Sequence, residues 1–176
     1  EDIFLEGVGY SAVISACETG QCWDGALDLL RLLPARAVRP STVTCNAALT
    51  ACQRSMHWER ALGLLGEMQY PDLYPDVVTF IVAFSACEKG EQWERALRLL
   101  DEMRRHFVEP NTRALNAIIS ACEKGAQWAA ALQLLTKVAL MALPADLITY
   151  NAAGAACKRS RRWAWALRLL GEELPR

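Results

Sequence analysis

A period of 35 residues runs through the 176-residue chain without insertion or deletion. Cysteine and tryptophan keep this spacing over five copies, and an Ala-Leu pair follows each tryptophan at a fixed distance. The phased residues are Cys17, Cys52, Cys87, Cys122 and Cys157, and Trp23, Trp58, Trp93, Trp128 and Trp163. A unit this short cannot bury its apolar face alone, so such periods are typical of stacked repeats with one continuous core. The period predicts a stack of five similar units.

Each unit carries two apolar stripes with helical spacing. In the first copy Tyr10, Ile14 and Cys17 lie at i, i+4 and i+7, and a second stripe begins at Trp23 and continues to Leu33. The first stripe ends in three copies at a glycine, a common helix stop, and we expect an N-cap residue directly before the first helix of the next repeat. The glycines are Gly20, Gly90 and Gly125, and the caps are Ser41, Asp76, Asn111 and Asp146. The sequence predicts an all-α fold of five helix–turn–helix repeats.

The repeat frame divides the chain into a short lead-in and five units, the last of them incomplete. The predicted boundaries are 1–6 for the lead-in and 7–41, 42–76, 77–111, 112–146 and 147–176 for the repeats.

Composition excludes several classes of protein. No stretch approaches the ~20 apolar residues that a membrane span needs, and a net charge of −1 gives no overall attraction to nucleic acid or membrane. The seven cysteines form no C-x-x-C pair, and stacked repeats would hold the phased ones about 10 Å apart, too far for a disulfide. We therefore expect buried free thiols, a reducing compartment and no metal.

The segments Val78-Thr79-Phe80, Ile148-Thr149-Tyr150-Asn151 and Tyr74-Pro75-Asp76 resemble the pentatricopeptide repeat, with its 35-residue period, V-T-Y-N opening and P-D closing. The resemblance covers residues 7–176. It implies a right-handed α-solenoid, a superhelix whose first helices line the concave face. It also implies a location in chloroplast or mitochondrion, and single-stranded RNA as ligand, one base per repeat.

The resemblance further implies which residues recognise bases: the fifth residue of a repeat together with its last residue. Repeat two offers Asn46 with Asp76 and repeat four offers Asn116 with Asp146, pairs that resemble those preferring uracil. Ser11 and Asn151 are further base-reading candidates. The residues expected to wedge against bases are Val8, Val43, Val78, Arg113 and Ile148. Repeat three departs from the pattern, because Ile81 offers a base edge no hydrogen bond.

Helical spacing indicates a ligand face independently of any family. Residues four apart on the first helix, such as Asn46, Thr50 and Arg54, share one side of it. Stacked repeats would align an amide row, a hydroxyl row and a basic row. The basic row is Arg54, Lys89, Lys124 and Arg159. Four such cations would give RNA binding a salt slope of about −3, although Glu88 and Glu123 beside the lysines oppose this potential.

A second interpretation is a protein-facing scaffold. Trp165 replaces the arginine of earlier copies on an exposed side of the second helix, beside a group of bases, which is typical of a protein-binding hot spot. The bases are Arg161, Arg162 and Arg168. On this interpretation the chain is a structural or assembly subunit of a larger organellar complex. A non-enzymatic role is common to both interpretations, because no phased catalytic group and no phosphate-binding glycine motif occurs. We expect no cofactor and no small-molecule substrate.

Overall fold

The structure, a computed structural model, describes residues 2–68, 73–140, 147–162 and 164–165, with residues 2–8 and 140 described by their backbone only. Every regular element within these ranges is helical. The helices are α1 (Asp2–Gly20), α2 (Trp23–Ala35), α3 (Thr42–Arg54), α4 (Trp58–Glu67), α5 (Val77–Lys89), α6 (Trp93–Arg105), α7 (Thr112–Lys124), α8 (Trp128–Leu140) and α9 (Leu147–Arg159). The predicted all-α helical-repeat fold is confirmed. The predicted lead-in is helical from Asp2 onward.

Two compact units divide the chain, residues 1–86 and residues 87–176, and the division falls inside α5. In the first unit α1 packs against α2 and α3, and α3 packs against α4. In the second unit α7 packs against α8 and α9, and α8 packs against α9. Within each unit, therefore, the first helices of consecutive repeats are neighbours, as a shared apolar seam requires.

The core follows the two predicted stripes. Ala26, Leu27, Leu30 and Leu33 of α2 are buried, and the phased tryptophans at the starts of α2, α4, α6 and α8 are half-buried. The phased cysteines 52, 87, 122 and 157 are fully buried, whereas Cys17 is only half-buried. The cysteines thus pack as small apolar groups of the seam.

The turn between the helices of each repeat has the same geometry in all five copies. The backbone carbonyl of the phased cysteine accepts a hydrogen bond from the amide five residues later, at 2.8 to 3.1 Å. The residue before that amide is left-handed, with φ between 54° and 65°. These left-handed residues are Gln21, Met56, Glu91, Ala126 and Arg161. In the three copies with a glycine, the first helix ends at the predicted glycine or at the residue directly before it, as Gly20, Lys89 and Lys124 show. The left-handed residue follows one position later, and none of the three glycines has positive φ.

Glycine at this point of the turn has a packing reason in the fourth repeat. A Cβ on Gly125 would lie 2.3 Å from Cδ1 of Trp93, so any larger residue would force the indole to move. Two other repeats have serine there. Ser55 donates a hydrogen bond to the carbonyl of Gln21 at 2.9 Å, and Ser160 donates one to the carbonyl of Ala126 at 2.6 Å. The position therefore joins one repeat to the next.

Candidate functional site

The predicted base-reading residues lie on the first helices, outside the apolar seam. Asn46 on α3, Asn116 on α7 and Ser11 on α1 are half-buried, and Asn151 on α9 is exposed. Asp76 precedes α5 and is exposed, whereas Asp146 lies outside the described residues. The amides thus border the surface, as the repeat pattern predicted.

Asn46 and Asp76 are joined in a hydrogen-bonded cluster with Thr79. The Asn46 Nδ2 donates to Asp76 Oδ1 at 3.2 Å. The Thr79 hydroxyl lies within donating distance of two acceptors, Asn46 Oδ1 at 2.7 Å and Asp76 Oδ1 at 2.8 Å, and its single proton is shared between them. Asp76 also caps α5, because its Oδ1 accepts the backbone amide of Thr79 at 2.8 Å. The two residues of the predicted reading pair are therefore in contact before any ligand arrives.

The same contact recurs in other repeats. Thr149 donates to Asn116 Oδ1 at 2.6 Å in the second unit, and the hydroxyls of Ser11 and Thr44 lie 3.1 Å apart in the first. Thr44, like Thr79, is held by the N-cap residue of its own helix. Its backbone amide donates to Ser41 Oγ at 3.2 Å. Ser11, Asn46 and Asn116 thus each meet a threonine 33 residues farther along the chain.

Asp76 remains a carboxylate in this cluster. Partial burial raises its pKa, but hydrogen bonds from the Thr79 backbone and hydroxyl and from Asn46 outweigh that effect, so the pKa lies below its ordinary value. At neutral pH the cluster therefore presents a negative acceptor beside the amide.

Sequence reasoning missed the threonines. Thr44, Thr79 and Thr149 are the buried polar residues of the described chain, and buried hydroxyls are rarely left without a partner. A signal was present in the repeat: the fourth copy replaces the threonine with Ala114, and it is the copy that follows Ile81. Where the fifth residue of a repeat cannot accept a hydrogen bond, the following repeat lacks the threonine.

The predicted basic row is partly neutralised. Arg54 lies 3.4 Å from Glu18, and Lys124 lies 3.2 Å from Glu88, in each case a residue of the preceding repeat. Glu88 also accepts a hydrogen bond from Ser120 at 2.9 Å. Lys89 is half-buried, and the exposed Arg159 has no ion pair among the residues that the structure describes. Arg54 and Lys124 are thus engaged within the protein.

Large aliphatic side chains are exposed at one position of the repeat, three residues before the fifth-position side chain. Val43 is 72% exposed, Val78 54% and Ile148 65%. Arg113 holds this position in repeat four and is also exposed, and the side chain of Val8 lies outside the described residues. Exposed valine and isoleucine in register with hydrogen-bonding groups form an alternating apolar and polar surface within each unit.

The predicted protein-contact residues lie near the end of the described chain. Trp165 is 42% exposed, and its ring centroid lies 5.8 Å from that of Trp128. Arg161 and Arg162 are exposed, and the Arg162 guanidinium lies 5.5 Å from the Trp128 ring. Arg168 lies outside the described residues. Trp165 is exposed, as predicted, but Arg162 is already engaged with an indole, which lowers its availability to a partner.

The buried thiols are held in their neutral form. Burial raises the pKa of Cys45, Cys52 and Cys122 to about 11 and that of Cys87 to about 12. A neutral thiol is a poor nucleophile and metal ligand. Within the described part of the chain, no group of three His, Cys, Asp or Glu side chains lies close enough to hold a metal ion. These cysteines thus belong to the packing of the repeats.

A cavity of about 340 Å³ opens between α2 and α4 and is lined mostly by apolar side chains, including Leu30, Leu64 and Met68. Cys45 also lines it, at a position where the other repeats carry larger residues. Those residues are Tyr10, Phe80, Leu115 and Tyr150. The small thiol accounts for part of the open volume.

Across the described residues, no helix is long and apolar enough to span a bilayer.

Two family models match the chain. The model of the PPR repeat family matches residues 75–124, and that of the pentatricopeptide repeat domain matches residues 28–89. Together they span 28–124, more than half of the 176 residues. A comparison with curated proteins found no match.

Solved structures share the fold. The pentatricopeptide repeat protein PPR10 from maize superposes with a TM-score of 0.72 at 23% identity, over 93% of this chain and 23% of that one. PPR10 in complex with an 18-nt psaJ RNA element gives 0.75 at 17%, over 94% and 24%. The PPR domain of Arabidopsis thaliana protein-only RNase P 1 in complex with tRNA gives 0.76 at 13%, over 91% and 84%. The chain therefore spans about a quarter of the length of PPR10.

Proposed function

Because the chain belongs to the pentatricopeptide repeat family, we propose that it binds a short single-stranded RNA through the surface formed by its first helices, without catalysing a reaction on it. The ligand lies along this surface with about one base per repeat. Asn46 with Asp76 and Asn116 with Asp146 recognise bases, and Ser11 and Asn151 contribute weaker contacts.

The observation that carries this proposal is the alternation of exposed aliphatic side chains with hydrogen-bonding groups. Val43 and Val78 lie in register with Asn46 and Asp76 in the first unit, and Ile148 precedes Asn151 in the second. Single-stranded RNA exposes flat base faces, which pack on apolar side chains, and base edges, which need hydrogen-bond partners. A surface that serves a protein partner needs no such alternation.

The chemistry of the reading pair favours uracil. Its edge offers the O4 carbonyl as an acceptor and the N3–H as a donor, and the pair offers an amide NH₂ and a carboxylate. The lowered pKa of Asp76 keeps that carboxylate charged at neutral pH. Two of the solved relatives are complexes with RNA, psaJ RNA for PPR10 and tRNA for the RNase P domain, which supports a nucleic-acid ligand for the shared fold.

The affinity is expected to be modest. Arg54 and Lys124 are paired with glutamates, which leaves fewer cations for phosphate than the four of the basic row. The salt slope should therefore be shallower than the value of about −3 for four full contacts. Selectivity then depends on base recognition more than on charge.

An organellar location with a reducing interior fits the same proposal. Pentatricopeptide repeat proteins are typically organellar. The phased cysteines are free thiols, and burial raises the pKa of Cys52 and of Cys87. In an oxidising compartment cysteines commonly serve as disulfides. These thiols instead pack as apolar groups of the core, a role that needs the reduced form.

The test is filter binding with oligo(U) and oligo(A) at two salt concentrations. We expect binding at low salt, a preference for oligo(U), and loss of that preference in the Asn46→Ala/Asn116→Ala double variant. Arg98→Ala on the outer side of α6 is the matched control, because Arg98 is exposed and pairs with Glu94 of its own helix. Absence of binding at low salt would refute the proposal.

That refutation would favour the second candidate, a structural or assembly subunit of a larger organellar complex. The specific observation in its favour is Trp165, an exposed indole beside Arg161. Exposed tryptophan and arginine are the residues that most often dominate protein interfaces.

A further inference from the structure

The hydroxyl of Thr79 faces the carbonyl oxygen of the Asn46 amide, and Thr149 faces that of Asn116. We propose that these two threonines are positioning residues that decide which base the amide accepts. Each holds the carbonyl end of its asparagine inward, so that the NH₂ end faces outward; at Asn46 this NH₂ donates one hydrogen to Asp76 and offers the other to the ligand. The inference rests on the proposed function, because it concerns how the same surface chooses among bases.

An asparagine amide needs such positioning because its two ends are chemically opposite. Rotation by half a turn exchanges the accepting oxygen for the donating nitrogen with little change in shape. In the Asn46 cluster both neighbours favour one orientation. The Thr79 hydroxyl meets Oδ1 at 2.7 Å, and the Asp76 carboxylate meets Nδ2 at 3.2 Å. A rotated amide would bring its oxygen against the carboxylate, where two acceptors repel.

The NH₂ group that results still has a hydrogen to donate. Nδ2 carries two hydrogens, one of which goes to Asp76, and the other finds no acceptor among the described residues. Thr79 itself is fully buried, so its hydroxyl is shielded from solvent and depends on hydrogen-bond acceptors inside the cluster. The orientation of the amide is therefore set before the ligand binds.

Orientation separates uracil from cytosine. At equivalent places on their edges uracil carries the O4 acceptor and cytosine the N4 amino donor. An amide that presents NH₂ complements uracil and opposes cytosine, whereas a rotated amide does the reverse. A threonine that fixes the amide thus converts a residue tolerant of both pyrimidines into one that selects uracil.

Repeat four distinguishes this role from helix capping. Its third residue is Ala114, whose backbone amide is capped by Asn111 Oδ1 at 2.9 Å without any hydroxyl. The helix start therefore does not require threonine. The preceding repeat is the one in which Ile81 replaces the reading amide. The hydroxyl is missing where there is no amide to orient.

The experiment compares the dissociation constants for oligo(C) and oligo(U) in threonine variants. We expect the C-to-U ratio of Kd to fall about threefold in Thr79→Val, the size of one weak hydrogen bond, and by a similar factor in Thr149→Val. The double variant should combine both losses. Thr79→Ser, which keeps the hydroxyl, should retain the ratio. Thr136→Val is the matched control, because its hydroxyl donates to the backbone of its own helix.

The possible outcomes separate the two levels of the proposal. If the unchanged protein prefers uracil and both valine variants keep the full ratio, or lose affinity equally for both oligomers, the positioning role is wrong and RNA binding stands. If the unchanged protein binds neither oligomer, the proposed function fails and this inference with it. Should Thr79→Val not fold, Thr149→Val in the other compact unit decides the question, with Thr149→Ser as its hydroxyl-retaining partner.

Discussion

Gly125 leaves room for the indole of Trp93, and its replacement by alanine is expected to destabilise the second unit. The added Cβ would lie 2.3 Å from Cδ1 and 2.8 Å from Cγ of Trp93, whereas ordinary van der Waals contact begins at 3.4 Å. The ring must therefore retreat by the difference of 1.1 Å between 3.4 Å and 2.3 Å. Gly125 has φ of −76°, which alanine adopts without strain, so the perturbation is one of packing alone.

The size of the effect follows from two opposing contributions. Overpacking of this kind costs about 1–3 kcal/mol, and alanine in place of glycine regains up to about 1 kcal/mol of backbone entropy. We expect a net loss of about 1–2 kcal/mol in the free energy of unfolding. Because the indole is half-buried and belongs to the preceding repeat, the loss falls on the junction between repeats.

Urea unfolding followed by far-ultraviolet circular dichroism measures this loss. Gly63→Ala in α4 is the matched control, since the added Cβ would meet nothing within 4 Å beyond the adjoining backbone of its own helix. It should stabilise by about 0.5–1 kcal/mol. Adding Trp93→Ala to Gly125→Ala should remove most of the penalty, because the clashing partner is then absent. A penalty that persists without the indole would refute the packing explanation.

Two further predictions follow from the charges and thiols. Glu88→Gln should release Lys124 for phosphate and steepen the salt slope of RNA binding by about 0.7. Glu94→Gln, which removes the same charge beside Arg98, should leave the salt slope unchanged. Equal slopes in the two variants would contradict the idea that Glu88 keeps Lys124 from phosphate. Burial raises the pKa of Cys87 from an ordinary 9.0 to about 12, so the folded state holds its proton more tightly than the unfolded state. Its contribution to stability is therefore present below pH 9 and is lost as the pH rises from 9 towards 12. Urea midpoints measured across this range should fall less in Cys87→Ala than in the unchanged protein, and parallel curves would contradict the assignment.

The helices and their buried faces were predictable because both depend on residues close in sequence. Spacings of three and four residues identified the stripes of α2, and a stripe on each of two neighbouring helices requires a shared seam. The cap residues Ser41, Asp76 and Asn111 were likewise local signals, and each accepts the predicted backbone hydrogen bond. Repetition strengthened these signals, since five copies carry the same pattern.

The contacts of the candidate site were not predictable in the same way, because they join residues of different repeats. Thr79 meets Asn46 across 33 residues, and Lys124 meets Glu88 across 36. Which positions of two stacked helices meet depends on their offset, which no single helix encodes. The left-handed residue of the turn was not predictable for a different reason. The 6→1 backbone hydrogen bond tolerates Gln, Met, Glu, Ala or Arg in the left-handed position, so no residue type marks it.

The threonine that orients each asparagine is supplied by the following repeat, and this has a consequence for how such arrays can be rearranged. A segment cut at the boundary of the 35-residue period carries its amide but leaves the hydroxyl behind, as Asn46 would be parted from Thr79. The unit that can be transplanted intact is the junction, from the fifth residue of one copy to the third residue of the next. Exchanging one whole repeat therefore separates two Asn–Thr pairs, one at each end of the exchanged segment. At both ends the residue that stays behind then faces a residue from a different repeat.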